Sequence, residues 1–226
     1  MNRRKLIVAI ALIFALTLTL ALSACGKKSA GGGTSENSKE SESATESTAE
    51  NAEAEETQEL IATKKAEITV KDYGKIVVEL YGDVAPVTVE NFVGLAESGF
   101  YDGITFHRIM DGFMIQGGDP DHNGFGGSEN TIFGEFISNG HENNISHVKG
   151  TMSMARKGND KNSASSQFFI MVDDATYLDG DYAAFGRVVE GQDVVDKIAS
   201  DAKPIDNNGT IPFENQPVIE SIVITD

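Results

Sequence analysis

The segment FHRIMDGFMIQGGD, residues 106–119, carries the strongest structural signal of this chain. Apolar residues dominate both sides of Asp111-Gly112, a pair that strongly favours a tight turn between two antiparallel strands. One cationic side chain, Arg108, lies inside the first apolar run. Because arginine is seldom fully buried without a partner, Arg108 is either paired with an acidic residue or placed there for chemistry.

Strand and turn signals continue on both sides of this hairpin, from about residue 60 to residue 226. Residues 66–70 and 75–80 are strand-like runs around a turn. Residues 85–101 and 191–200 carry apolar side chains at helical spacing, and Gly99 is expected to end the first of these helices. A length of about 165 residues fits one domain with a sizeable core. The pattern therefore predicts a mainly β domain, an antiparallel barrel that is closed and capped by two helices.

The N-terminal residues predict an export signal. MNRRK is basic, residues 6–22 are apolar and uncharged, and LSAC (residues 22–25) resembles a bacterial lipobox. We therefore expect a lipoprotein signal peptide over residues 1–24 and lipid attachment at Cys25, the only cysteine of the chain. An uncleaved membrane anchor over the same apolar run remains the alternative. Both interpretations place the rest of the protein outside the cytoplasm, anchored to the membrane.

Residues 26–59 predict a tether. They contain no aromatic residue and no aliphatic side chain larger than alanine, and they are rich in Ser, Thr and Glu. Such a segment cannot bury enough apolar surface to offset chain entropy, so we expect residues 25–59 to be a lipidated, disordered acidic tether. The formal net charge of the chain is −17, which argues against binding to nucleic acid.

Four motifs together point to a known family. In chain order they are FHRIMDGFMIQGGD, GFGGSENTIFGEF, HVKGTMSMAR and SASSQFFIMVDDATYLDGDYAAFGRVVEG. The chain resembles the cyclophilin family of peptidyl-prolyl cis-trans isomerases from about residue 66 to residue 226. The resemblance implies a closed eight-stranded antiparallel barrel with two capping helices over residues 60–226. It also implies a monomeric isomerase of X-Pro polypeptides that needs no cofactor and no metal and assists the folding of secreted or surface proteins.

The resemblance also assigns roles to individual residues. Arg108 would be the catalytic residue, stabilising the twisted prolyl amide, and Gln116 would orient it. The residues expected to contact the substrate are Phe113, Met114, Gln116, Ala155, Arg156, Gln167, Phe169, Tyr177, Leu178 and Tyr182. Tyr177 and Tyr182 depart from the family, in which many members carry tryptophan and histidine at these positions. Tyrosine keeps an aromatic face and a polar tip.

Two other functions remain open at the level of sequence. If the tyrosines have abolished catalysis, the domain would be a proline-peptide binding module or a holdase chaperone. A purely structural surface lipoprotein would have no affinity for X-Pro peptides. The isomerase hypothesis requires Arg108, whereas neither alternative does.

Two polar features are interpreted as structural. Strand alternation directs His107 away from Arg108, so we expect a structural hydrogen-bonding histidine. Residues 119–130 begin like a calcium-binding loop, but Asn130 occupies the position at which that loop requires a bidentate glutamate. We therefore expect a surface loop without a metal.

Overall fold

The structure is a computed structural model that describes residues 60–226. The predicted signal peptide, the lipid attachment at Cys25 and the tether lie outside the described residues. None of the helices in the described part of the chain is long and apolar enough to cross a bilayer.

The described residues form a mainly β domain with two α-helices. The strands are β1 Lys64–Val70, β2 Gly74–Leu80, β3 Thr105–Met110, β4 Met114–Asp119, β5 Thr151–Met154, β6 Phe168–Met171, β7 Ala184–Glu190 and β8 Ile219–Thr225. The α-helices are α1 Pro86–Glu97 and α2 Gln192–Asp201. Short 3₁₀ turns lie at Ile137–Asn139, Thr176–Leu178 and Phe213–Asn215.

All strand pairings in this domain are antiparallel, in the order β3-β4-β6-β5-β7-β2-β1-β8. The number of strands, the antiparallel pairing and the two helices agree with the prediction. The closed barrel does not, because β3 and β8 are the edges of the sheet among residues 60–226. These edges meet at a single isolated bridge between Thr105 and Val218. A few backbone hydrogen bonds, such as Ile219 N–H to Ile104 O at 2.8 Å, join the same ends.

The core lies inside the curved sheet and is covered by α1. Pro86 begins this helix, where its missing N–H costs nothing, and the buried side chains follow at helical spacing. Phe92 is the most deeply placed of them and is fully buried. Its ring lies 5.3 Å from Tyr101, 5.6 Å from Phe168 and 5.4 Å from Phe185, measured between centroids. The helix is therefore attached to the sheet through one aromatic cluster.

The β3–β4 hairpin has the predicted turn. Gly112 has a φ of 72°, a left-handed conformation that a residue with a side chain adopts only with strain. Phe113 N–H donates to Met110 O at 3.0 Å and closes the turn. The register then places Arg108 directly opposite Gln116. Because opposite residues on one face of an antiparallel pair are neighbours, this turn determines which side chain faces the arginine.

We predict that the Phe92→Ala variant loses about 3–5 kcal/mol of stability, because truncation leaves a cavity among three aromatic rings. The matched control is Phe125→Ala, since Phe125 is 91% exposed and should change the free energy of unfolding by less than about 0.5 kcal/mol. Denaturant unfolding followed by circular dichroism measures both. Equal losses in the two variants would contradict the packing described for α1.

Candidate active site

A cavity of about 140 Å³ opens at one end of the β3–β4 hairpin. We name it the Arg108 cavity, and it is lined by Arg108, Phe113, Met114, Gln116, Ala155, Arg156, Phe169, Leu178 and Tyr182. Strands β3, β4 and β6 supply part of the wall, and the segments after β5 and before β7 supply the rest. The structure thus brings together nine of the eleven residues predicted for catalysis and substrate contact.

The guanidinium of Arg108 is held from two sides. Its Nε donates to the main-chain oxygen of Asn208 at 2.7 Å, and its Nη1 donates to Gln116 Oε1 at 3.1 Å. The Sδ atoms of Met110 and Met114 lie 3.2 Å and 3.8 Å from its terminal nitrogens. Each of these acceptors is neutral. Within residues 60–226, none of the ion pairs involves Arg108, so its charge is hydrogen-bonded but has no counter-ion in contact.

Burial lowers the pKa of Arg108, and the nearby Tyr182 and Asp206 oppose that shift. The guanidinium nevertheless stays protonated at neutral pH, because the ordinary pKa of arginine lies far above it. The cavity therefore presents a permanent, partly desolvated positive charge. Such a charge interacts with an electron pair on a bound molecule more strongly than the same charge in water.

The floor of the cavity is apolar and rigid. Met114 and Phe169 are buried, while Phe113 and Leu178 are partly buried against them. Phe113 stacks on Tyr177, with 6.3 Å between the ring centroids and 22° between the ring planes. Tyr177 itself is 73% exposed and does not line the cavity, so its contact with the site runs through Phe113.

Arg156 supports the wall opposite Arg108. Its guanidinium carbon lies 4.7 Å from the centroid of the Tyr182 ring. Its nitrogens donate to the main-chain oxygens of Asp181, Lys157 and Gly158. These contacts use the side chain within the protein. They indicate that Arg156 holds Tyr182 in place.

A second depression, which we name the Gln167 groove, adjoins the Arg108 cavity and has a volume of about 390 Å³. Gln116 and Gln167 connect the two, because Gln116 Nε2 donates to Gln167 Oε1 at 2.9 Å. Gln167 Nε2 in turn donates to Gly126 O at 2.8 Å. At the boundary, Ala155 N–H already donates to Gln167 O at 2.9 Å, so only the carbonyl of Ala155 is left for a substrate strand.

The family model described as cyclophilin type peptidyl-prolyl cis-trans isomerase/CLD matches residues 65–225. The chain belongs to this family. The match spans the β sheet except for Lys64, the first residue of β1, and it includes every residue that lines the Arg108 cavity. The domain is accordingly an isomerase of the cyclophilin type.

Curated relatives carry the same family name. The chain is 45% identical over 122 residues to peptidyl-prolyl cis-trans isomerase ppi1 of Schizosaccharomyces pombe, covering 54% of this chain and 76% of that protein. It is 40% identical over 150 residues to peptidyl-prolyl cis-trans isomerase A of Dickeya dadantii, covering 64% and 74%. Against peptidyl-prolyl cis-trans isomerase-like 2 of Gibberella zeae the identity is 38% over 152 residues, 67% of this chain. The match spans only 25% of that longer relative.

Solved structures agree on the fold. The crystal structure of a cyclophilin type peptidyl-prolyl cis-trans isomerase from Cryptosporidium parvum superposes with a TM-score of 0.64 and 29% identity. It covers 72% of this chain and 98% of that one. A second structure of the Cryptosporidium parvum protein, determined in the presence of the dipeptide Ala-Pro, gives a TM-score of 0.63 and 28% identity, covering 72% and 99%.

Behind the floor of this cyclophilin's cavity lies a buried polar chain that the sequence analysis missed. His147 Nδ1 lies 2.8 Å from Asp179 Oδ1, and its Nε2 lies 3.1 Å from Ser153 Oγ. The His147 ring stacks beneath Phe169, with 6.0 Å between centroids and 19° between planes. Burial lowers the pKa of His147, while hydrogen bonding to Asp179 opposes the shift. The neutral imidazole therefore donates to the carboxylate, accepts from Ser153 and supports the cavity floor.

The expectation for His107 is wrong in one respect. The side chain is buried, as strand alternation required, but neither ring nitrogen has a hydrogen-bond partner among residues 60–226. Burial lowers the pKa of His107 from 6.5 to about 4, with a smaller opposing effect of Asp119. His107 is therefore a neutral packing residue beneath Arg108, and it is not a hydrogen-bonding one.

The loop after β4 is organised by a carboxylate. Asp119 Oδ1 accepts from Asp121 N–H at 2.9 Å, and Oδ2 accepts from Asn123 N–H at 3.0 Å and from Gly124 N–H. These N–H groups lower the pKa of Asp119 although burial opposes them. Across residues 60–226, no cluster of three or more His, Cys, Asp or Glu side chains could hold a metal ion. Asp119 thus binds the backbone of this loop.

We predict that the His107→Leu variant loses less stability in acid than the parent protein. The folded-state pKa of His107 is about 4 against an ordinary value of 6.5, so the unfolded chain takes up the proton first. The contribution of His107 to stability is complete above pH 6.5 and declines as the pH falls, by about 3 kcal/mol at pH 4.

Denaturant unfolding of both proteins at about pH 7.5 and about pH 4 measures the effect. The carboxylates titrate in both proteins, so the difference between the two acid losses isolates His107. Equal losses of stability in the parent and in His107→Leu would contradict the prediction. They would show that the His107 imidazole gains a hydrogen-bond partner or is in contact with water.

Proposed function

We propose that this domain accelerates cis-trans isomerisation of the peptide bond that precedes proline in X-Pro polypeptides. The observation that carries the proposal is Arg108, a half-buried guanidinium that lies at the wall of a cavity with an apolar floor and has no contacting counter-ion among residues 60–226. The dipeptide Ala-Pro, in whose presence one Cryptosporidium parvum structure was determined, belongs to the same chemical class as this substrate.

The barrier to this reaction is electronic. Rotation about the amide bond costs about 18–20 kcal/mol because it breaks the resonance between the nitrogen lone pair and the carbonyl. At the twisted geometry the prolyl nitrogen regains that lone pair. A guanidinium N–H aimed at the nitrogen binds the twisted form better than the planar form, and only such differential binding lowers the barrier.

The Arg108 cavity suits this task. Its apolar floor of Met114, Phe169 and Leu178 can hold the pyrrolidine ring while the preceding carbonyl rotates. Gln116 accepts from Arg108 and donates to Gln167, so the amide is fixed at both ends and keeps the guanidinium aimed. Holding the ring against fixed donors is a positioning task that needs no nucleophile.

We predict that Arg108→Ala lowers kcat/KM for an Ala-Pro peptide on the order of 100-fold, the usual cost of removing one donor that acts on the transition state. Arg108→Lys should recover only part of the loss, because an ammonium lacks the planar fork that binds Asn208 and Gln116 together. A protease-coupled isomerisation assay measures the rates. Arg187→Ala is the matched control, since Arg187 is exposed on β7 and does not line the cavity.

The same variants distinguish the enzyme from the binding module. If Arg108→Ala retains affinity for the X-Pro peptide in calorimetry but loses the rate, the enzyme hypothesis holds. If the parent protein does not accelerate isomerisation yet binds the peptide, the domain is a proline-peptide binding module. If it does neither, it acts as a structural surface protein.

We propose further that the protein works outside the cytoplasm, anchored through a lipid on Cys25, on secreted or surface proteins. The lipobox-like LSAC sequence supports the anchor. The acidic, Ser- and Glu-rich composition of residues 26–59 supports a spacer between the lipid and the domain. Uncatalysed X-Pro exchange takes tens to hundreds of seconds, long enough to limit the folding of exported chains.

We predict that the parent protein incorporates a radiolabelled fatty acid and that Cys25→Ser does not, because a diacylglyceryl group requires the thiol. The double variant Cys25→Ser with Ser29→Cys is the control, and it should also remain unlabelled since the thiol is displaced from the lipobox. A parent protein that takes up no label would instead support an uncleaved anchor helix.

A further inference from the structure

The connection between α2 and β8 contacts the guanidinium of Arg108. Asn208, in this connection, provides the main-chain oxygen that accepts from Arg108 Nε at 2.7 Å. It is one of only two oxygen acceptors of the guanidinium in the described part of the chain, and the other is Gln116. What holds Asn208 in place therefore influences where Arg108 points.

The segment that contains Asn208, residues 205–210, is closed on itself by one carboxylate. We name it the Asp206 loop. Asp206 Oδ1 accepts from Asn208 N–H and from Thr210 N–H, both at 3.0 Å, and Oδ2 accepts from the Thr210 hydroxyl at 2.8 Å. Ile205 N–H donates to Thr210 O at 2.9 Å across the base of the loop. Asp206 thus directly binds the peptide N–H of the residue whose carbonyl holds Arg108.

The Asp206 loop is also docked tightly onto β3. Ile109 N–H donates to Gly209 O at 2.8 Å, and Arg108 and Thr210 form an isolated antiparallel bridge. Gly209 is buried with a φ of 85°. A Cβ at this position would lie 2.5 Å from Met110 Cγ and 2.7 Å from Ile109 O, which is closer than real Cβ contacts. The backbone of β3 and the loop therefore fit together only with glycine at 209.

Asp206 does not line the Arg108 cavity and is exposed. Its hydrogen bonds among the described residues lie within the loop, so we expect it to act on the site through the loop and Arg108. Hydrogen bonds from Thr210 lower the pKa of Asp206, so the carboxylate is ionised when it holds the loop.

We infer that Asp206 is a positioning residue for catalysis: it fixes the loop whose Asn208 carbonyl aims the Arg108 guanidinium at the prolyl nitrogen. The inference rests on the proposed isomerase function and deepens it. The fixed loop sets the orientation of Arg108 before the substrate arrives. It therefore stabilises the twisted transition state and does not change the affinity for the planar peptide.

The test measures kcat and KM of the full-length protein with an Ala-Pro peptide. Asp206→Ala should lower kcat about 10-fold and leave KM within about 2-fold, because a misaimed guanidinium still permits peptide binding. Asp206→Asn keeps an Oδ1 acceptor for both N–H groups and should retain at least half of kcat. Asp201→Ala is the control, because it removes the same charge from the end of α2. In the described residues Asp201 pairs only with Lys197, so kcat and KM of this variant should match those of the parent.

A double-variant comparison separates positioning from general loss of structure. In an Arg108→Ala background, Asp206→Ala should lower kcat/KM no further, since the group that it positions is absent. An equal loss in both backgrounds would overturn the inference, and so would an unchanged kcat in Asp206→Ala. A loss in Asp206→Asn as large as that in Asp206→Ala would also overturn it, because charge and not loop geometry would then control the rate.

The Nε–H signal of Arg108 in nuclear magnetic resonance gives a readout that does not depend on activity. In the parent, the hydrogen bond to Asn208 should protect this proton from exchange with water. In Asp206→Ala and Gly209→Ala the protection should fall about 5-fold or more, since one lost hydrogen bond costs on the order of 1 kcal/mol. Unchanged protection in Asp206→Ala would overturn the inference even if the domain proved not to be an isomerase. The two hypotheses can also separate. If the Nε–H signal is protected in the parent and loses its protection in Asp206→Ala, but the parent shows no isomerase activity, the positioning role of the Asp206 loop is supported and the proposed function is rejected.

Discussion

The half-buried guanidinium of Arg108 needs hydrogen-bond acceptors inside the protein, and the structure around the cavity is arranged to supply them. A charge withdrawn from water is costly unless it is hydrogen-bonded. An adjacent carboxylate would meet that need but would also neutralise the group. Here the oxygen acceptors are an amide side chain from β4 and a main-chain carbonyl from the Asp206 loop. The charge is therefore stabilised and still available to a ligand.

This arrangement makes the cavity depend on segments that are distant along the chain. The guanidinium is on β3, its amide partner is on β4, and its carbonyl partner follows α2, 100 residues further on. The floor depends on β6, with Phe169 stacked on His147 and in edge contact with Tyr182. Tyr182 is in turn covered by Arg156. Phe169 and Tyr182 are therefore each supported from behind by a side chain of another segment.

Much of this could be predicted from local patterns. The Asp111-Gly112 turn predicted the hairpin, and the hairpin register placed Gln116 opposite Arg108. The helices were predicted by spacing, and α1 ends two residues before the expected stop at Gly99. Other features were not predictable. The contacts of His147 with Ser153 and Asp179 span 6 and 32 residues, and no short motif connects these positions. Asn208 contributes only its main-chain oxygen, so the type of its side chain does not indicate that it binds Arg108.

The resemblance to a known family indicated the set of side chains around Arg108, and the amino-acid order alone was enough to specify the strands, both helices and the hairpin. It was enough because turn chemistry and periodicity act over a few residues. The folded domain was needed to show that the edges of the sheet meet at one bridge, that His107 is buried without partners, and that Tyr177 lies outside the cavity. It was also needed to show which carbonyl holds Arg108. These outcomes depend on how distant segments pack together, and packing depends on shapes and distances that no local pattern specifies.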